Sequence, residues 1–135
     1  MTEEDVDWKD VNSILKKVSE HLQDLRAGVE EMEEITRTLE GFGGLPLDQV
    51  EEGLGKLNLE NISKKSCALH LLCARIFIKL AIIKRCGNPS TEVIKEIEKI
   101  SADVDSFGNR IIAASKAREN ILEEIQRKCM EILHS

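Results

Sequence analysis

The chain carries four cysteines, Cys67, Cys73, Cys86 and Cys129, and three histidines, His21, His70 and His134. No two cysteines stand as Cys-x-x-Cys, the spacing by which zinc ribbons and dithiol oxidoreductases bring two thiolates to one point. Three of the four fall in one hydrophobic stretch, where a free thiol behaves as a small apolar side chain. They are expected in the core, in a reducing compartment such as cytosol or nucleus. The histidines lack Cys, Asp or Glu partners at ligand spacing, apart from the chance pair His21 and Asp24, and are read as structural. A phosphate-binding glycine loop and a nucleophile elbow are both missing from the sequence. Nucleophile, base and metal ligands do not occur together, so the expectation is a protein that is not an enzyme and takes no cofactor.

Charge is the other chemistry on offer. The acidic run Glu30-Glu31-x-Glu33-Glu34 reads as a solvated helix face or as a contact surface for a basic partner. Basic residues fall in two segments. One holds Lys64, Lys65, Arg75, Lys79, Lys84 and Arg85; the other holds Arg110, Lys116 and Arg118. The second set is the candidate phosphate-contacting strip. Net charge is −6, against the basic balance of a duplex-binding domain. Any nucleic-acid contact is therefore expected to be weak and salt-sensitive, through Lys116, Arg118 and Arg110. No aromatic residues are interleaved among these cations for base stacking.

The elements that must position these groups are helical. Hydrophobic residues are 41% of the chain, charged residues 33% and aromatic residues 3%, with no Tyr. That composition is globular or coiled-coil, and poor in the residues that strands favour. A first helix is expected over 7–40. Its stripe, Trp8, Val11, Leu15, Val18, Leu22, Leu25, Val29, Met32 and Leu39, steps by three and four, with Thr36 in the missing place. At 1.5 Å per residue it runs roughly 50 Å, so it needs a long partner from this chain or another. The stripe from Trp8 to Val29 is the candidate partner-binding surface.

Three glycines and a proline in Gly41–Pro46 mark a loop. A short helix follows from Leu47 or Asp48 to Lys56, with Asp48 as a cap. A core helix is expected from Ile62 to Cys86, apolar nearly all round and innermost, with Leu72, Ile76 and Leu80 buried and Gly87 closing it. Charges within its apolar run favour a buried helix over a membrane span. Arg75 and Lys79 share a face that must reach water or an acid. Asn88 and Pro89 start the next helix. Gly108-Asn109 is a candidate kink or end for it; the alternative is that it joins the last helix in one rod that covers the first-helix stripe. The last helix covers 109–134. The expected fold is all-α: one domain over 1–135, an elongated helical bundle with a long N-terminal helix and a core bundle over 47–107. The acidic start, Met1-Thr-Glu-Glu-Asp5, is unlike a secretion signal.

The segment from Cys86 to Ile100 reads Cys-Gly-Asn-Pro-Ser-Thr-Glu-Val-Ile-Lys-Glu-Ile-Glu-Lys-Ile. It resembles the turn-and-helix signature of a family of small helical nuclear proteins that includes the nuclear exosome cofactor, neuroguidin and the something-about-silencing protein. Gly87, Asn88, Pro89 and Val93 match, as do Glu96, Glu98 and Lys99, with the hydrophobic helix Ser66–Ile83 upstream. Ala113-Ala114-Ser115-Lys116, Asn120 and Leu122 resemble a second segment of the exosome-cofactor members. The resemblance covers about Leu47 to Leu122. Thr91-Glu92 stands where the family has His-Pro, Ala117 where it has an aromatic residue and Glu119 where it has a basic one. The family's lysine-rich tail has no counterpart before Ser135. The resemblance implies a non-catalytic cofactor of the nuclear RNA exosome, acting in RNA processing, rRNA included. It implies binding to the helical N-terminal domain of an exosome-associated 3′-to-5′ exoribonuclease, and a surface for an RNA helicase. It also implies a nuclear location, the nucleolus included, and no membrane. Composition and heptads alone fit a second class equally, a structural helical subunit of a cytoskeletal, kinetochore or trafficking complex.

Overall fold

In the computed structural model, residues 6–86 and 88–135 are described, and every element among them is helical. Helix α1 spans Val11–Glu40, and a 3-10 turn spans Gly41–Gly44. Helix α2 spans Leu47–Lys56, α3 spans Leu59–Cys86 and α4 spans Thr91–Leu133. The three long helices α1, α3 and α4 pack on one another, so the fold is an all-α bundle.

The starts of the helices follow from capping chemistry. The first helical backbone N–H groups have no partner within the helix and take a side-chain oxygen instead. Asp10 supplies it for α1, accepting from the Asn12 N–H at 3.1 Å. This sets the start at Val11 and leaves Trp8 ahead of the helix rather than on its stripe. Asn58 accepts from the Asn61 N–H at 3.0 Å and starts α3 three residues earlier than expected. Ser90 accepts from the Val93 N–H at 3.3 Å and caps α4. Asn88 is therefore a turn residue, not a cap: its φ of 43° is left-handed, which Asn tolerates better than most side chains. Pro46, not Asp48, holds the cap position of α2. Gly87, expected to close α3, lies outside the described residues, as does the side chain of Cys86.

At Gly108-Asn109 a kink or an end is expected, with one joined rod as the alternative, and the structure has the rod. Helix α4 continues through both as one rod of 43 residues, about 64 Å long at 1.5 Å per residue. One interior glycine costs a helix about 1 kcal/mol relative to alanine. The apolar positions on either side outweigh that: Val104, Phe107, Ile111 and Ala114 are all buried in the same face.

That rod, with α3, closes the α1 stripe. Val18, Leu25 and Val29 have no exposed surface, and Val11, Leu15 and Leu22 are half-buried against the same core. The inward seam of α1 is Ile14, Val18, His21, Leu25, Val29, Met32, Thr36 and Leu39. It shares its second half with the expected stripe, while Ile14 and His21 take the central places of the first half. The expected partner-binding residues from Val11 to Val29 are thus covered by this chain itself. Gly28 allows close approach here, since a Cβ on it would lie 2.3 Å from Leu69 Cδ2 of α3.

Helix α3 is not the innermost element. Ile62, Leu69, Cys73, Ile76, Leu80 and Ile83 face the core, and Leu72 is only half-buried. Ile76, with no exposed surface, is the better probe of the core. Ile76→Ala is expected to lower the free energy of unfolding by about 2–5 kcal/mol, through lost transfer energy and a cavity. Urea denaturation followed by circular dichroism checks this. A change below about 1 kcal/mol contradicts the packing described.

Candidate interaction surface

The buried polar groups explain where several candidate residues went. Lys79 of α3 is 3% exposed, and its Nζ lies 5.6 Å from the centroid of the Trp8 ring. A cation over an indole face is attracted by the ring quadrupole. Trp8 therefore lies against α3 from the segment ahead of α1, with its outer side still 47% exposed. Burial, then Arg75 and Lys17, pulls the Lys79 ammonium below the usual lysine range. The face shared by Arg75 and Lys79 thus turns largely inward, with Arg75 half-buried.

The expected phosphate-contacting strip does not form as an open surface. Arg110 grips Glu33 of α1 with two donors, Nε to Oε2 at 2.9 Å and Nη2 to Oε1, and also lies 5.3 Å from the Phe107 ring centroid. The Glu33 carboxyl is held below its ordinary range, first by this hydrogen bond. Arg118 is buried, and its Nη1 donates to Thr36 Oγ1 at 3.4 Å; Thr36 in turn donates to the Met32 carbonyl at 2.9 Å. Of the three, Lys116 alone is exposed. The acidic run has a structural use for the same reason. Glu31 meets Lys65 of α3 at 2.8 Å while Glu33 meets Arg110 of α4, so one turn of α1 is pinned to both neighbours. Glu34 pairs locally with Arg37.

The thiols and imidazoles are scattered. Cys73 is buried, and burial pushes its thiol up; Cys67 is exposed and Cys129 half-buried. His70 and His134 are exposed, whereas His21 is buried in the α1 seam. Among the described residues no group of three or more His, Cys, Asp or Glu is placed to hold a metal.

Part of the outward surface is apolar. On α3, Leu71 is 60% and Ile78 57% exposed, and they lie with Cys67, Ala74 and Ala81, all exposed, on a line stepping by four and three. This is a second lengthwise stripe, on the side of the helix away from its core face. Beside it runs a shallow groove of about 530 Å³ between α3 and α4, with Phe77, Ala81 and Lys84 on one wall and Glu98, Ala102 and Asp105 on the other. Ile112, 57% exposed, stands one heptad beyond Asp105 on α4. A smaller set of exposed apolar residues, including Leu47, Met130 and Leu133, occurs on α2 and the distal end of α4.

The outward stripe is not evident from sequence because α3 is apolar nearly all round, a pattern that also fits burial on all sides. The signal was present: two interleaved stripes on one helix allow one face for the core and one for something else. By length and composition α3 is also apolar enough to cross a membrane, with a mean hydropathy of 1.9 over its most apolar stretch and 39% of that stretch buried. The two-faced core helix of a bundle meets the same description.

Fold and surface together define an all-α bundle of three long helices with a second apolar face along α3. No family model matches the chain, and neither a curated protein nor a solved structure matches it.

One titration follows from the seam. Burial first, then Lys79 and Lys17, hold the His21 imidazole below its ordinary range, against the opposing effect of Asp24 and Glu20. The folded chain therefore favours neutral His21. Its stabilising effect is complete above the unfolded value of about 6.5 and is lost as pH falls from there through the lower folded value. The melting temperature is expected to fall as pH drops below about 6.5. His21→Gln should flatten that part of the profile in a thermal melt series. An unchanged slope in the variant contradicts the assignment.

Proposed function

We propose that this chain is a non-catalytic binding protein whose partner docks as a helix on the outward face of α3. The observation that carries this reading is the stripe of Leu71, Ala74 and Ile78, exposed along a helix whose other face is core. Exposed apolar area continuous over several turns is characteristic of a protein contact, where helix-in-groove docking reads anchors at three- and four-residue spacing. The resemblance of Cys86–Ile100 and of the segment after Ala113 to the exosome-cofactor family supplies the partner. In this reading the chain is a cofactor of the nuclear RNA exosome in RNA processing, and binds the helical N-terminal domain of the associated 3′-to-5′ exoribonuclease. An RNA helicase docking on the joined helices belongs to the same reading. Direct RNA contact has a minor place in it, because Arg110 is engaged by Glu33 and Arg118 is buried against Thr36.

The surface differs from the one the first helix suggested. Leu15 and Leu22 are half-buried in the bundle, so acidic substitutions there report on folding as well as binding. Leu71→Asp with Ile78→Asp tests the contact alone, since both side chains are more than half exposed. Co-purification of the chain with the exoribonuclease fragment is expected for the native sequence. The double variant should lose it by at least about a hundredfold in affinity, at 2 kcal/mol or more for each central anchor. Circular dichroism should show its helices intact. No binding by the native chain removes the exosome reading; equal binding by the variant moves the interface off α3.

A further inference from the structure

The chemistry of the docked helix can be read from the two walls of the α3–α4 groove. Ala81, Ser101 and Ala102 are small, so a helix backbone can approach closely between Phe77 and α4. Glu98 and Asp105 both line the α4 wall, one heptad apart, and so stand in one row along the helix. Both are exposed, and neither makes an ion pair with a described residue. This contrasts with Glu31, Glu33, Glu34 and Glu124, all of which have Lys or Arg partners. The row continues to Ile112, an exposed apolar side chain at the next heptad position.

We propose that this face takes a fourth helix from another protein: an amphipathic helix with an apolar stripe toward Phe77, Ile78 and Ala81 and a basic edge toward Glu98 and Asp105. The proposal rests on the docking reading above and specifies its occupant. Apolar area on α3 holds the helix in place, and Lys or Arg residues one heptad apart set its register against the acidic row. A chain of net charge −6 attracts a basic partner over longer distances as well. An anionic lipid surface fits the apolar stripe but is repelled by Glu98 and Asp105, which favours the basic helix over a membrane.

The probe is a fluorescein-labelled amphipathic peptide of about three heptads, with Leu at three- and four-residue spacing and Lys at heptad-spaced positions on one edge. A twin peptide carries Glu at those edge positions. Both are titrated by fluorescence polarisation against the full chain. The Lys peptide is expected to bind roughly tenfold more tightly than its twin, the gain of two exposed ion pairs. Glu98→Lys with Asp105→Lys should reverse the preference. Glu51→Lys with Glu123→Lys, which changes net charge equally away from the groove, should leave the order intact. Ile78→Asp should remove binding of both peptides, with the circular dichroism spectrum unchanged.

Equal affinity for the twins, still abolished by Ile78→Asp, overturns the basic edge and leaves the docking reading standing. Binding of neither peptide by a chain that retains the exoribonuclease fragment overturns the inference without touching that reading. Stronger binding to phosphatidylserine vesicles than to the peptide, lost in Ile78→Asp, assigns the face to a membrane. A dimer in sedimentation, lost in the same variant, assigns it to a second copy. Either result overturns the proposal.

Discussion

The lengthwise seam of α1 against α3 and α4 is the constraint on which the rest of the molecule depends. Eight inward positions, from Ile14 to Leu39, run almost the whole length of α1. No short helix can cover such a stripe. The chain covers it with two long ones, and the cover is complete only because α4 passes through Gly108 without a break. Burial of Val104, Phe107 and Ile111 on the same side offsets the glycine there. A tertiary gain spread over several side chains exceeds a local cost of about 1 kcal/mol at one residue.

The seam also governs the chemistry. Polar groups drawn into it must find partners, since an unpaired buried polar atom costs more than a hydrogen bond returns. Thr36 donates to Met32 and accepts from Arg118, and Lys79 lies by the Trp8 ring. Among the described residues no buried side-chain nitrogen or oxygen lacks a hydrogen bond. The cost to function is that two cations suited to phosphate are engaged within the fold, Arg118 by burial and Arg110 by its ion pair with Glu33. Arg110 and Arg118 hold α4 against α1, and little of the basic strip reaches solvent.

What remains outside is defined by what the seam leaves over. Each of α1 and α4 is buried along one broad face, whereas α3 has an apolar core face and an apolar outward stripe, so it carries more apolar surface than the bundle can use. That excess, beside an acidic row on α4, is the basis for the binding role proposed for the chain.

Local sequence sets the helical class, the main breaks near Gly41–Pro46 and Cys86–Pro89, the bounds of α2 and the second half of the α1 seam. These follow from local physics: apolar spacing, glycine and proline at turns, and capping side chains all act within a few residues. The rest depends on how the helices pack together. Whether Gly108 ends a helix depends on what packs beside Phe107 and Ile111, which no window around the glycine contains. Whether Ile14 and His21 or Leu15 and Leu22 point inward depends on where α3 and α4 both lie, because a stripe wide enough for two neighbours has no single centre. Arg110 and Arg118 read as surface charge until Glu33 and Thr36, more than seventy-five residues away in the chain, are brought against them. Both faces of α3 carry apolar residues, and the position of its neighbours determines which is core and which is left to solvent.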